Sequence, residues 1–199
     1  MDLFTSSALL TPIPVADGEL AFLAQLSLEH SNATVLARLI AETPWRSERI
    51  TVWGKQYLQP RLTAWHGDAA YTYSGLRLEP QPFTPLQQEI RAAVEAASGR
   101  RFNSVLLNYY RDGRDSMGMH SDNEPELGAQ PAIASVSFGA ERTFALQHKL
   151  SRQRLRLALT DGSLLLMAGT LQENWTHGIN KIARQVGPRV NLTFRFICQ

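Results

Sequence analysis

His120 and Asp122 stand one residue apart at the end of the run N-Y-Y-R-D-G-R-D-S-M-G-M-H-S-D that begins at Asn108. In an extended backbone successive side chains alternate faces, so this imidazole and this carboxylate point the same way and can grip one ion. A second imidazole, His177, lies far downstream. Two imidazoles and a carboxylate on one side of a metal, with the other side open, form the arrangement expected of non-heme Fe(II) oxygenases. An H-x-D alone is a weak signal, because in many chains it marks an ordinary loop.

The segment Arg189-Val190-Asn191-Leu192-Thr193-Phe194-Arg195 adds weight, since its period is strictly two. Arg189, Asn191, Thr193 and Arg195 fall on one face; Val190, Leu192, Phe194 and Phe196 fall on the other. The donor face reads either as the wet side of an antiparallel strand or as the lining of an anion pocket. Residues 105–110 have the same character, with Asn108 and Tyr110 on one face and Val105, Leu107 and Tyr109 on the other. A planar guanidinium grips a carboxylate in a bidentate fork, so donors from two strands beside a metal imply a dicarboxylate that also binds iron.

Such residues need a frame, and the composition supplies one. With 199 residues, 44% hydrophobic and 19% charged, the chain reads as a single domain over 1–199 with enough length for a core. A formal charge of +2 permits a polyanionic partner without demanding one. One cysteine, Cys198, cannot form an internal disulfide and reads as inert, which suits a reducing compartment. The first residues carry no basic n-region, no apolar run approaches the roughly 18 residues of a bilayer span, and no basic import run stands out. The expected setting is cytoplasmic and bacterial, and the expected state a monomer.

Along the chain, residues 1–50 read as a helical brace. Asp17 caps a predicted helix with Leu20, Leu23, Ala24 and Leu26, and a second helix runs from Asn32 to a stop before Pro44. Residues 51–100 hold an aromatic and basic stretch followed by a scaffold helix, whose start at Thr84-Pro85-Leu86-Gln87 has the elements of a capping box. From residue 101 the pattern is short strands at 103–110, 119–122, 133–138, 142–148, 153–159, 163–167, 175–178 and 189–197. The expected fold class is therefore α+β, mainly β: a double-stranded β-helix (jelly-roll, cupin-like) core over 101–199, flanked by N-terminal helices.

The chain resembles the AlkB family of Fe(II)- and 2-oxoglutarate-dependent nucleic-acid dealkylation dioxygenases. The resemblance rests on N-Y-Y-R-D-G at 108–113, H-S-D-N-E at 120–124, I-A-S-V-S-F-G at 133–139, G-S-L-L-L-M at 162–167, T-H at 176–177 and P-R-V-N-L-T-F-R from Pro188. It runs in order from about Val52 to the end, while the first fifty residues match loosely. It implies Fe(II) held by His120, Asp122 and His177, with O2 and 2-oxoglutarate at the open positions. Arg189 and Tyr110 are implied at the distal carboxylate of the cosubstrate and Asn108 and Arg195 near the proximal one, with Asn191 and Thr193 on the same face. The implied reaction is oxidative demethylation of N1-methyladenine and N3-methylcytosine in DNA, single- or double-stranded, and possible in RNA, giving repaired base, formaldehyde, succinate and CO2.

The same resemblance bears on substrate contacts. Val52-Trp53-Gly54 sits where the family carries a duplex-probing hairpin, and an apolar wedge there would fill the gap left by an extruded base. Tyr71 and Tyr73, with Ser74 in T-Y-S-G, correspond to lid residues on which a base stacks. Glu124 would accept from the exocyclic amino group of adenine or cytosine, or it is a plain surface carboxylate. Lys55 and Arg61 read as phosphate contacts or as solvated side chains. Lys149, Arg152, Arg154 and Arg156 read as a wet strand face or as a phosphate-contacting rim, in a segment shorter than in duplex-preferring relatives; Lys181 and Arg184 are similar candidates. His30, His66 and His148 have no partner spacing and read as surface or structural residues. The alternative function is a 2-oxoglutarate-dependent hydroxylase or demethylase acting on protein or a small molecule, which would have no use for Trp53, Tyr71 and Tyr73.

Overall fold

Alternating patterning in the C-terminal half builds two facing antiparallel sheets, and the helices cover the outer side of the larger one. The computed structural model describes residues 9–47, 49–52, 55–68, 71–73 and 76–198. In chain order the first elements are β1 (Thr11–Pro12), β2 (Glu19–Leu23), α1 (Asn32–Glu42), β3 (Arg49–Val52), β4 (Lys55–Leu58), β5 (Leu62–Gly67), β6 (Tyr71–Tyr73), β7 (Leu76–Leu78) and α2 (Pro85–Ser98). There follow β8 (Ser104–Tyr110), β9 (Met117–His120), β10 (Ile133–Gly139), β11 (Arg142–His148), β12 (Arg154–Leu159), β13 (Leu164–Ala168), α3 (Leu171–Asn174), β14 (Trp175–Ile179) and β15 (Arg189–Arg195).

The larger sheet has seven strands in the order β1, β2, β13, β10, β15, β8, β5, and the smaller has four in the order β12, β11, β14, β9. Two apolar clusters follow from this layering. Val105, Leu107, Val136, Val190, Leu192 and Phe194 point outward from the large sheet and meet Leu39 of α1 and Ile90 and Val94 of α2. Leu106, Tyr110, Ile133 and Met167 of the large sheet point inward and meet Phe144, Leu146, Trp175 and Ile179 of the small one. Each fully buried aliphatic side chain contributes about 2 kcal/mol of transfer free energy, so β15, buried on both faces, is a central brace. This is the jelly-roll arrangement expected from the strand count.

Local chemistry explains the two scaffold helices. Ser31 caps α1 by accepting from the Thr34 N–H at 3.2 Å, and the helix ends where Pro44 disfavours helical backbone at Thr43. At α2 the Thr84 hydroxyl accepts from the Gln87 N–H at 3.2 Å while the Gln87 side chain accepts from the Thr84 N–H at 3.1 Å. Gly99, at φ 65°, ends α2 in the left-handed conformation that favours glycine.

The first expected helix is corrected. Glu19–Leu23 is a strand, paired antiparallel with β13 from Leu23 opposite Leu164 to Glu19 opposite Ala168. Short apolar runs fit either period, and here the open edge of β13 decides the matter by offering ladder hydrogen bonds. Asp17 does not cap a helix; it sits at φ 50° in the preceding turn, where its carboxylate lies 3.1 Å from Nε2 of the buried His148. Only α1 of the described residues before residue 50 is helical, so the brace is half sheet.

Candidate metal centre and anion pocket

β9 and β14 are neighbours in the small sheet, and His120 pairs with His177 across them. Their approach depends on Gly178, where a Cβ would lie 2.8 Å from the Met117 carbonyl oxygen and 2.9 Å from that of Gly118. No side chain fits there, and the ladder is irregular between His177 and Ile179. The strand expected over 119–122 ends at His120, so Asp122 lies just beyond it. Its position is set from outside: its N–H donates to Gln172 Oε1 at 2.9 Å, and the neighbouring Ser121 hydroxyl donates to the Trp175 carbonyl at 2.8 Å. Gln172 lies in no motif, and Ser121, though inside H-S-D-N-E, does not announce this contact by its type, so only packing reveals both roles.

The three ligand atoms of His120, Asp122 and His177 lie within 4.8 Å of one another. Asp122 Oδ1 is 3.7 Å from His120 Nε2, and its Oδ2 is 4.0 Å from His177 Nε2. The His120 Nδ1 lies 2.9 Å from the Gly118 carbonyl, which can only accept, so Nδ1 carries the proton and Nε2 keeps a lone pair toward the site. Burial by itself pushes the Asp122 carboxyl up, but Arg195 and the two imidazoles outweigh it and hold the pKa down at about 2. Burial, reinforced by His120 and opposed by Asp122, pushes His177 down to about 3. Near neutral pH the site therefore offers an ionised carboxylate and a neutral buried imidazole, the protonation states a divalent metal requires. This donor set fits Fe(II). A second cluster, Glu29, His30 and Glu89, also brings three donors within 4.8 Å, but it is surface-exposed and Glu89 Oε1 already accepts from the Glu29 N–H.

The donor face of β15 is not the wet side of a strand. Arg189, Asn191, Thr193 and Arg195 point between the sheets and, with Tyr110, Ser135 and Met117, line a cavity that reaches the metal ligands. Arg189 is 1% exposed and donates through Nη2 to the Ser137 hydroxyl at 2.9 Å. Its guanidinium carbon lies 5.0 Å from the centre of the Tyr110 ring, which stands opposite it in the ladder. Its Nε and Nη1 have no hydrogen-bond partner among the described residues. Burial, partly opposed by Tyr110, lowers its pKa to about 10. A buried guanidinium with two idle donors is a receptor for a carboxylate.

The other expected pocket residues divide. Arg195 donates to Asp122 Oδ1 at 3.0 Å and so supports the metal ligand directly. Asn191 directs its amide to the Ser135 hydroxyl and the Val136 carbonyl and accepts from Thr193, so these two stiffen the cavity wall. Asn108, opposite Asn191 in the ladder, is 1% exposed, and its side-chain oxygen accepts from Arg61 Nε at 2.6 Å. The solvated reading of Arg61 is corrected, because it is 4% exposed and turned inward to Asn108. Glu124 is half-buried, and its Oε2 is enclosed without a hydrogen-bond partner among the described residues.

Trp53 and Ser74 lie outside the described residues, and so do the side chains of Lys55, Tyr71 and Tyr73, whose backbones run in β4 and β6. In the basic run, Arg152, Arg154 and Arg156 are exposed, whereas Lys149 donates to the Gln172 and Glu173 carbonyls at 3.0 and 2.8 Å. Lys181 and Arg184 are exposed. His66 is buried with Nδ1 2.8 Å from the Pro82 carbonyl, and burial lowers its pKa.

Comparison with known proteins agrees with this geometry. The model of the 2OG-Fe(II) oxygenase superfamily matches residues 19–195. The alpha-ketoglutarate-dependent dioxygenase alkB homolog 3 of Mus musculus is 40% identical over 173 residues, covering 82% of this chain and 60% of that protein. The DNA oxidative demethylase ALKBH2 of Homo sapiens is 45% identical over 159 residues, covering 75% of this chain and 61% of that protein. The chain thus spans about three fifths of the length of these relatives. The solved structure of OsALKBH1 superposes with a TM-score of 0.66 at 16% identity, covering 93% of this chain and 99% of that one, which supports the fold.

Proposed function

Since the chain belongs to the 2OG-Fe(II) oxygenase superfamily, in its AlkB family, we propose that it is an oxidative demethylase of N-methylated bases in nucleic acid, with N1-methyladenine and N3-methylcytosine in DNA as its substrates and RNA as a further one. The observation that carries this reading is the convergence of His120, Asp122 and His177 beside the buried, under-partnered guanidinium of Arg189. The names of the relatives, one of them a DNA oxidative demethylase, support the choice of substrate class.

His120, Asp122 and His177 would hold the iron. Bound Fe(II) supplies dioxygen activation, coupling loss of CO2 from 2-oxoglutarate to hydroxylation of the N-methyl carbon. The residues of this chain contribute placement. Arg189 and Tyr110 grip the distal carboxylate, so the keto acid end faces the metal ligands. Arg195 keeps Asp122 ionised and oriented. The half-buried Glu124 accepts from the exocyclic amino group that both bases carry. The resemblance assigns Tyr71, Tyr73 and Ser74 to stacking on the extruded base and Trp53 to filling its place in a duplex. Lys55 and the exposed Arg152, Arg154 and Arg156 contact phosphate. The hydroxymethylated base then loses formaldehyde to leave the repaired base, while the decarboxylated cosubstrate departs as succinate.

Among the described residues no helix is long and apolar enough to cross a membrane. A monomer working in a reducing cytoplasm completes the proposal. The test is to incubate iron-loaded protein with 2-oxoglutarate and matched single- and double-stranded oligonucleotides carrying each lesion. Formaldehyde release with loss of the methyl mark supports it, whereas succinate without demethylation points to a protein or small-molecule substrate and overturns it.

A further inference from the structure

Arg142, the first residue of β11, has no motif around it and is 2% exposed. Its guanidinium reaches three backbone carbonyls: Nη2 donates to Asn180 at 2.6 Å and to Asp115 at 2.9 Å, and Nη1 to Asp112 at 3.3 Å. Asp112 and Asp115 belong to the turn that joins β8, which ends in Tyr110, to β9, which ends in His120. Asn180 directly follows β14, which carries His177. The same guanidinium carbon lies 5.6 Å from the centre of the Tyr110 ring. One buried side chain thus touches the connections of both histidine-bearing strands and the tyrosine of the anion pocket.

The ladder between β9 and β14 is short, with two paired positions and an irregularity between them. Its own hydrogen bonds therefore define the register weakly. A slip of one residue would turn a histidine to the opposite face and dismantle the ligand set. Beyond the ladder, the turn and the segment after β14 meet again where the Ile182 N–H donates to the Gly113 carbonyl at 2.9 Å. Arg142 sits at this seam, and a planar fork with fixed donor directions suits the task better than a flexible ammonium. Leaving its Nε without a partner among the described residues is a burial cost that a purely packing position would not retain.

We propose that Arg142 is a positioning residue that fixes the register of β9 against β14, and so the meeting of His120 with His177, while holding Tyr110 in place for the cosubstrate. This rests on the dioxygenase reading above. The test uses the full chain with Arg142→Lys and Arg142→Gln, following Mn(II) binding by calorimetry under anaerobic conditions, then binding of 2-oxoglutarate and of the monocarboxylate 2-oxobutanoate to the loaded protein, with circular dichroism melts alongside. We expect Mn(II) affinity to fall at least about tenfold in both variants. The preference for 2-oxoglutarate over 2-oxobutanoate should also fall about tenfold, because only the former uses the pocket beside Tyr110. Lysine should not rescue either effect, since one ammonium cannot span the three carbonyls. If Arg142→Gln does not fold, Arg142→Lys, which keeps the stem and the charge, decides the comparison. Variants that melt lower yet bind metal and cosubstrate as the wild type does would overturn the inference, because a merely structural arginine gives that result. Wild-type protein that binds neither ligand would instead overturn the dioxygenase reading on which it stands.

Discussion

Replacing Arg189 by Met should weaken cosubstrate binding severely while leaving the ligand-free protein as stable as before or more so. Burial, partly opposed by Tyr110, lowers the Arg189 pKa from the ordinary guanidinium range to about 10, and at about 1.4 kcal/mol per unit the folded state bears a net penalty of about 3 kcal/mol for holding this cation. Against that stands the hydrogen bond to Ser137, worth about 1 kcal/mol, the contact with the Tyr110 ring being already contained in the lowered pKa. Methionine fills similar volume without charge, so the ligand-free variant should gain about 2 kcal/mol, or about 4–8 °C in melting temperature for a chain of this size. Loss of the fork should weaken 2-oxoglutarate by at least about 2 kcal/mol, about thirtyfold. The pH dependence follows with a definite sign. Arg189 has a lower pKa folded than unfolded, so its penalty is full below about 10 and fades as pH rises from there toward the ordinary guanidinium value. The stability gap between variant and wild type should accordingly narrow at pH 10.5 relative to pH 8. Scanning fluorimetry at both pH values and calorimetric titration at pH 8 measure these quantities. A ligand-free Arg189→Met protein that melts well below the wild type would refute the reasoning, because the guanidinium would then be a satisfied structural group and not a waiting anion receptor.

Three further outcomes are expected. Asp122→Ala should lose Mn(II) binding and also about 3 kcal/mol of stability, since it removes the carboxylate paired with the buried Arg195, whereas His120→Ala should lose metal with a much smaller drop in melting temperature; equal destabilisation would contradict the role given to Arg195. Asp122 ionises at about 2 in the folded chain, below its ordinary value, so the stability from its pair with Arg195 should persist on acidification and be lost only as pH falls toward 2, as an acid titration of melting temperature would show. Gly178→Ala should push β9 from β14 and weaken Mn(II) by about tenfold while α1 and α2 retain their helical dichroism; unchanged metal affinity would mean that the close approach is dispensable.

How much was legible in the chain varies with the distance over which the deciding forces act. The period-two alternation at 189–195 separates donors from apolar residues because strand geometry is local, and the capping residues at 31 and 84–87 mark helix starts for the same reason. His120, Asp122 and His177 could be nominated by type, and the resemblance tied them together. Local pattern could not say whether residues 19–23 are helix or strand, because the open edge of β13, far along the chain, supplies the partner. Nor could it tell that Arg61 turns inward to Asn108, that Lys149 caps α3, or that Gln172 and Ser121 hold the segment around Asp122. Arg142 is the extreme case: its neighbours in sequence are ordinary strand residues, and its meaning comes entirely from carbonyls at positions 112, 115 and 180. Residue type and spacing determine which groups can bind a metal and an anion, since those are properties of the side chain and its own strand. Which donors are left idle, which charges are paired and which pKa values move depend on burial and on partners distant in sequence, and these exist only once the two sheets have closed.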